Sequence, residues 1–150
     1  MIKLPLFSGV RRAVAVITLA TFALPAGAAP QIEHGTWIDS LSKLCGGTFT
    51  CTGIFTAVPA GKTLIARNIS CRITIPTQYS ALAIGLTGNN KVVNLVFGPS
   101  IVQGSSEYYV VNTEIFDPFK AGAIPTVNYT SNATAPSTRL NCTLSGELRP

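Results

Sequence analysis

Hydrophobic and polar side chains alternate along most of the chain after residue 48, which is the pattern of β-strands that bury one face. The alternation is clearest over 63–75, where four isoleucines and Cys71 share one face and mostly polar residues share the other. Arg67 interrupts the apolar face, which indicates a bulge or an edge at that position. Further strands are predicted over 49–58, 81–86, 92–97, 108–116, 126–130 and 138–148.

The predicted strands are separated by turns rich in glycine, proline and asparagine. Short strands at regular spacing, without alternating helices, are typical of two packed antiparallel sheets. The predicted fold class is therefore all-β, an antiparallel β-sandwich of jelly-roll or immunoglobulin-like type.

One segment ahead of these strands has a helical pattern. Thr36 is a suitable N-cap, Asp39 follows three residues later as in a capping box, and apolar residues come at helical spacing behind it. The glycines at 46–47 provide a natural stop. We expect one short helix over 37–45.

The first 28 residues differ in kind from the rest. Three basic side chains precede an uncharged run over 13–24, and small residues occupy 26–28. This pattern predicts a secretory signal peptide over 1–28, cleaved after Ala28, and a single domain over 29–150. The uncharged run is too short for a transmembrane helix, which needs about 20 apolar residues, so we expect no transmembrane anchor after cleavage.

Loss of that segment changes the charge balance. The whole chain has 11 basic and 6 acidic side chains, a net charge of +5, and three of the basic ones (Lys3, Arg11, Arg12) lie in the predicted signal peptide. The remainder has 8 against 6, a net charge of +2. It has no cluster of lysine and arginine and no interleaved aromatic residues, so we expect no nucleic-acid partner.

Four cysteines lie beyond the predicted cleavage site. An even number in an exported chain indicates two disulfides and an oxidising compartment, periplasmic or secreted. Of the three pairings, the pattern favours Cys45–Cys51, which flank a glycine turn, and Cys71–Cys142, which both lie on the apolar side of alternating runs. No close cysteine pair or histidine partner indicates a metal site, and we predict none.

The sequence offers little catalytic machinery. The only histidine, His34, lies just after the predicted cleavage site, and no G-x-S-x-G elbow is present. The carboxylates are few and scattered, the cysteines are expected to be paired, and no phosphate-binding loop occurs. We therefore expect a non-enzymatic protein without a cofactor; a small hydrolase that uses carboxylates such as Glu114 is the remaining enzymatic alternative.

Aromatic and amide side chains in predicted loops are the candidates for binding. Tyr79 lies in a loop, Asn89 and Asn90 form a hairpin turn, and Tyr108 follows a polar loop and is adjacent to Tyr109. Neighbours on a strand point to opposite faces, so one of the two tyrosines should be exposed. We predict Tyr79, Asn89, Asn90 and Tyr108 as binding residues for an unknown ligand, such as a glycan or an envelope protein; core and cross-strand packing is the alternative.

Two stretches resemble small, uncharacterised exported proteins of Gram-negative bacteria: Val58-Pro59-Ala60-Gly61-Lys62-Thr63-Leu64, and Cys142-Thr143-Leu144-Ser145-Gly146-Glu147-Leu148. The resemblance implies a β-sandwich in a bacterial periplasmic or secreted setting and no particular activity. Fimbrial subunits are a second comparison, but the chain lacks the tyrosine that they carry near the C-terminus. The first hypothesis is thus an exported binding or interaction module, and the alternative is a fimbria-like structural subunit of a surface assembly.

Overall fold

The computed structural model describes residues 29–150, and the predicted signal peptide lies outside the described residues. The described part of the chain is all-β, as predicted, and contains ten strands and no helix. It therefore holds no helix that is long and apolar enough to cross a membrane. The strands are β1 (Gln31–Glu33), β2 (Thr36–Cys45), β3 (Thr48–Ile54), β4 (Thr63–Pro76), β5 (Ala81–Gly88), β6 (Lys91–Leu95), β7 (Ile101–Gln103), β8 (Ser106–Phe119), β9 (Thr126–Ala135) and β10 (Thr138–Arg149).

The strands form two sheets that pack together. The six-stranded sheet has the order β1-β2-β10-β4-β8-β7, and the four-stranded sheet has the order β3-β9-β5-β6. Every pair of neighbouring strands is antiparallel. The longest pairings join β4 to β8 and to β10, so these three strands form the centre of the larger sheet.

The alternation in the sequence places the core between the sheets. On β4 and β10 every second residue points inward, and Ile73, Leu140 and Leu144 are fully buried. Burial of each such side chain contributes roughly 1.5–3 kcal/mol. Trp37 and Phe119 are the largest apolar groups that the two sheets enclose completely.

The helix predicted over 37–45 is wrong, because these residues form β2. Trp37 and Asp39 are buried while the residues between and beside them are exposed, which is a period of two. Trp37, Leu41 and Cys45 are spaced by four residues and satisfy both periods, and the neighbouring strand decides between them: β10 pairs with β2 along its whole length, from Thr36 to Cys45. Asp39 caps no helix; its Oδ2 accepts a hydrogen bond of 2.6 Å from the backbone N–H of Thr56.

Two bulges bend the centre of the larger sheet. The register between β4 and β8 shifts between Ala66 and Asn68, which confirms the irregularity predicted at Arg67. The register between β10 and β4 shifts between Ser145 and Gly146. A Cβ atom at this glycine would overlap the backbone of β4, so only glycine allows the close approach of the two strands there.

Both predicted disulfides are present. Cys71 and Cys142 are directly opposed on β4 and β10, so this bridge lies within the six-stranded sheet and is buried. Cys45 ends β2 and Cys51 lies on β3, with 5.7 Å between their Cα atoms. The shorter bridge therefore ties one sheet to the other at a corner.

Candidate functional site

The outer face of the six-stranded sheet presents mostly short polar side chains. They stand in rows across the strands, because directly paired residues of an antiparallel sheet point to the same side. Hydrogen bonds join two such pairs, Ser40 with Thr143 (2.9 Å) and Ser42 with Asn141 (2.7 Å), and a third bond joins the diagonal neighbours Asn68 and Asn112 (3.0 Å). These cross-strand bonds hold the face in one arrangement.

A cleft of about 400 Å³ lies at one end of this face. Arg139, Thr74 and Tyr108 stand side by side in one row across β10, β4 and β8. Arg72 comes two residues before Thr74 on β4 and opposite Asn141 on β10. The cleft is completed by Leu44, Ser106 and Ser137.

Arg72 and Tyr108 form a stacked pair inside the cleft. The guanidinium carbon of Arg72 lies 4.4 Å from the centre of the Tyr108 ring, which is cation–π geometry. Such a contact stabilises by about 0.5–1 kcal/mol at an exposed site. Tyr108 therefore presents no open ring on that side; its ring holds the guanidinium in place.

The cleft is positively charged and contains no carboxylate. Its lining has two arginines and no aspartate or glutamate. Among residues 29–150 there are three salt bridges, and neither Arg72 nor Arg139 takes part in any of them. The cleft thus carries two positive charges that face solvent.

At the opposite end of the same face, two arginines share one carboxylate. Glu147 lies between Arg149, at 2.7 Å, and Arg67, at 2.9 Å. Hydrogen bonds from Arg149 and then from Arg67 hold the pKa of the Glu147 carboxyl below its ordinary value. Both arginines there have an acidic partner, whereas Arg72 and Arg139 have none among residues 29–150.

The structure separates the four residues predicted to bind a ligand. Tyr108 lines the cleft, and Tyr79 lies in the turn after β4 at the same end of the sheet, where it is half-buried against the core. Tyr109, next to Tyr108, points inward and packs edge-on against Phe97, with 5.4 Å between the ring centres. The two adjacent tyrosines thus face opposite sides of the sheet, as expected from strand geometry, but both are half-buried, so the exposed ring that was predicted is not present.

Asn89 and Asn90 lie at the other end of the molecule. Both have positive φ angles in the turn between β5 and β6, and the Nδ2 of Asn89 donates a 2.6 Å hydrogen bond to the carbonyl of Pro118. Pro118 is paired with Ile65, and nine residues of β4 separate that position from Thr74 in the cleft. At about 3.3 Å per residue the distance is roughly 30 Å, so the two asparagines belong to no site that contains Tyr108.

Sequence reasoning missed Arg72 and Arg139 as site residues. The alternating pattern of the sequence does place both on the polar face of their strands. The predicted disulfide supplied the remaining signal: if Cys71 opposes Cys142 on adjacent antiparallel strands, Arg72 must oppose Asn141 and Arg139 must oppose Thr74. The register that one bridge sets therefore brings the two arginines together.

The catalytic candidates are not assembled into a site. His34 lies in the tight turn between β1 and β2, beside a second concavity of about 240 Å³ that Glu33 also lines. Glu114 is exposed on β8, and its cross-strand partner is Asn68, which is not a carboxylate. Within residues 29–150, no three histidine, cysteine, aspartate or glutamate side chains are grouped to hold a metal ion.

Comparisons with known proteins found no match. No family model, no curated protein and no solved structure matches the chain. The resemblance to small exported proteins of Gram-negative bacteria stays a prediction, and any function rests on the cleft itself.

Proposed function

We propose that the protein is an exported, disulfide-stabilised, non-enzymatic binding module that holds its ligand in the cleft around Arg72, Tyr108 and Arg139. The observation that carries this proposal is a pair of arginines that have no carboxylate partner in the described part of the chain, one of them stacked on a tyrosine. Positive charge that is oriented but not neutralised inside the protein is available to a ligand. The predicted signal peptide and the two buried disulfides support a periplasmic or secreted bacterial setting.

The strand order supports the jelly-roll type over the immunoglobulin-like type. Four of the pairings are nested, as they would be if the chain first formed one long antiparallel hairpin: β2 with β10, β3 with β9, β4 with β8, and β5 with β6. Wrapping that hairpin brings β10 beside β4 and β9 beside β5, which are the two remaining pairings of these eight strands. An immunoglobulin domain carries its disulfide between the sheets at the core, whereas Cys71–Cys142 lies within one sheet. Jelly rolls include lectin domains, so the architecture is compatible with a binding function, although a fold alone assigns none.

The proposal is tested by screening soluble glycans and envelope components for binding to the wild-type protein and to Arg72→Gln/Arg139→Gln. We expect at least one component of the panel to bind the wild type and to lose most of its affinity for the double variant. The control is Arg149→Gln/Arg67→Gln, which removes the same charge from the same strands outside the cleft. A ligand that the double variant binds as well as the wild type would place the function elsewhere.

The unprotected sheet edges favour a second candidate function, a structural subunit that assembles with copies of itself. β6 and β7 form one edge of each sheet, and Val96, Ile101 and Val102 on and between them are 77%, 61% and 62% exposed. Exposed apolar edge strands are templates for another chain. Light scattering on the unreduced protein separates the two candidate functions. A monomer at high concentration excludes assembly through these edges. A series of oligomers that Val102→Lys abolishes supports assembly.

A further inference from the structure

We infer that the ligand of the cleft is an acidic saccharide, a sugar whose carboxylate or phosphate group binds between Arg72 and Arg139. This inference rests on the proposed function and adds the chemical class of the ligand. The two arginines lie on adjacent strands, two positions apart along the register, so their side chains project into the same cleft from neighbouring rows on one face. Guanidinium groups match the geometry of oxyanions and donate two parallel hydrogen bonds to them.

The rest of the lining is suited to sugar hydroxyls. Thr74, Ser106 and Ser137 supply hydroxyl groups that both donate and accept hydrogen bonds. The amide oxygen of Asn141 already accepts a hydrogen bond from Ser42, which leaves its NH2 group to donate into the cleft. The floor of the cleft is therefore a set of short polar groups around an anion site.

The same lining disfavours the other anionic ligands. An acidic peptide would need pockets for apolar side chains, and Leu44 is the one aliphatic residue among those that form the cleft. Nucleic acid needs a longer positive track, and here two arginines stand alone in a domain with a predicted net charge of +2. A hydroxyl-rich anion of a few sugar units fits the polarity and the volume of about 400 Å³.

Tyr108 acts as a positioning residue in this site. Its ring holds the Arg72 guanidinium over the cleft at 4.4 Å and need not touch the sugar. Phenylalanine offers the same ring face, so Tyr108→Phe should keep the affinity, while Tyr108→Ala should release Arg72 and weaken binding about 2-fold to 5-fold. If Tyr108 served folding alone, Tyr108→Ala would lower the stability of the protein and leave the affinity of the folded protein for the acidic sugar unchanged.

The test is a titration of the full exported protein, labelled with 15N, with trigalacturonic acid, and then with its fully methyl-esterified form. The ester keeps the sugar chain and removes the charge. We expect the acid to shift the amide signals of Arg72, Thr74 and Arg139, and we expect the ester to bind at least 10-fold more weakly. Arg139→Gln should weaken binding of the acid by about 10-fold, with Arg149→Gln on the same strand unchanged, and added salt should weaken it further.

The arms of the experiment separate the ligand class from the function. Glucose 6-phosphate in place of the uronate distinguishes a phosphate-bearing sugar from a carboxylate-bearing one, and tighter binding of either supports the inference. Equal shifts in the cleft with acid and ester overturn the acidic class but keep the binding function. Tighter binding of an acidic peptide such as tetraglutamate in the cleft overturns the saccharide and likewise keeps the function. If none of these probes shifts the cleft signals at millimolar concentration, the saccharide inference is overturned, and the binding function then depends on the unbiased screen.

Discussion

Opening the long disulfide should destabilise the protein about twice as much as opening the short one. Cys71 and Cys142 are 71 residues apart in sequence, and Cys45 and Cys51 are 6 residues apart. A disulfide stabilises chiefly by restricting the unfolded chain, and the loop-closure relation gives about 4.4 kcal/mol for the long loop and about 2.2 kcal/mol for the short one. All four cysteines are buried, so alanine removes a similar packing contribution in both cases and the difference of about 2 kcal/mol reports loop length.

The comparison uses Cys71→Ala/Cys142→Ala and Cys45→Ala/Cys51→Ala in urea unfolding. Trp37 is the only tryptophan and is fully buried, so its fluorescence follows the loss of the core. With a urea dependence of about 1.5 kcal/mol per molar, we expect the midpoint to fall by about 3 M for the long bridge and about 1.5 M for the short one. The free energies are compared instead of the midpoints alone, because an uncrosslinked denatured chain also changes the urea dependence.

Equal losses, or a larger loss for the short bridge, would refute the loop-length argument. The structure offers a specific reason why that result would be informative. Cys45–Cys51 joins β2 of one sheet to β3 of the other, whereas the long bridge joins strands that already share a register of hydrogen bonds. A dominant short bridge would mean that the corner between the sheets, and not the entropy of the unfolded chain, limits stability.

Three further changes test the packing. Asp39→Leu should lower the free energy of unfolding by about 2 kcal/mol, because it leaves the N–H of Thr56 without its acceptor. Asp39→Asn keeps an acceptor and should lower that free energy less. Equal losses of the two variants in urea unfolding would contradict this. Gly146→Ala should destabilise by about 1–3 kcal/mol or prevent folding, because the new Cβ meets the carbonyl of Ile65, and an unchanged thermal midpoint would show that β4 yields there. Burial raises the pKa of Tyr129 from its unfolded value near 10 to about 12, so its contribution to stability is complete below pH 10 and is lost as the pH rises through 12. In urea unfolding, Tyr129→Phe should lose less stability than the wild type between pH 9 and pH 11. At neutral pH it should be as stable as the wild type, since no group of residues 29–150 forms a hydrogen bond with the Tyr129 hydroxyl; an identical pH dependence would contradict the assignment.

The two strands whose bounds the sequence predicted best are those whose alternation is carried by large aliphatic residues. The run over 63–75 became β4 (Thr63–Pro76), and the run over 138–148 became β10 (Thr138–Arg149). The strands that were missed lack that signal. β1 and β7 are three residues long and bury none of their side chains, so each depends on hydrogen bonds to the longer strand beside it.

β2 shows why local pattern can fail even with a strong apolar signal. Trp37, Leu41 and Leu44 fit a helix, and Trp37 and Leu41 also fit a strand that alternates in and out. Leu44 is the one of the three that a helix would bury and a strand would expose. In the structure it is 66% exposed. Pairing with β10, which lies about 100 residues away in sequence, makes this segment a strand. A pattern read from neighbouring residues cannot predict that pairing.

The two candidate functions use adjoining parts of one surface, and the register shows that they are compatible. Ile101 of the edge strand β7 is paired with Tyr108, so β7 directly continues the row of side chains that forms the cleft. A strand added to the outer edge of β7 would lengthen that row and leave Arg72 and Arg139 uncovered on the face. Val102, which is paired with Glu107, alternates away from Ile101, so Val102→Lys should block assembly without touching the cleft. If that variant is monomeric and still binds the wild-type ligand, binding belongs to the single domain; if both properties disappear together, the cleft works only in the assembled form.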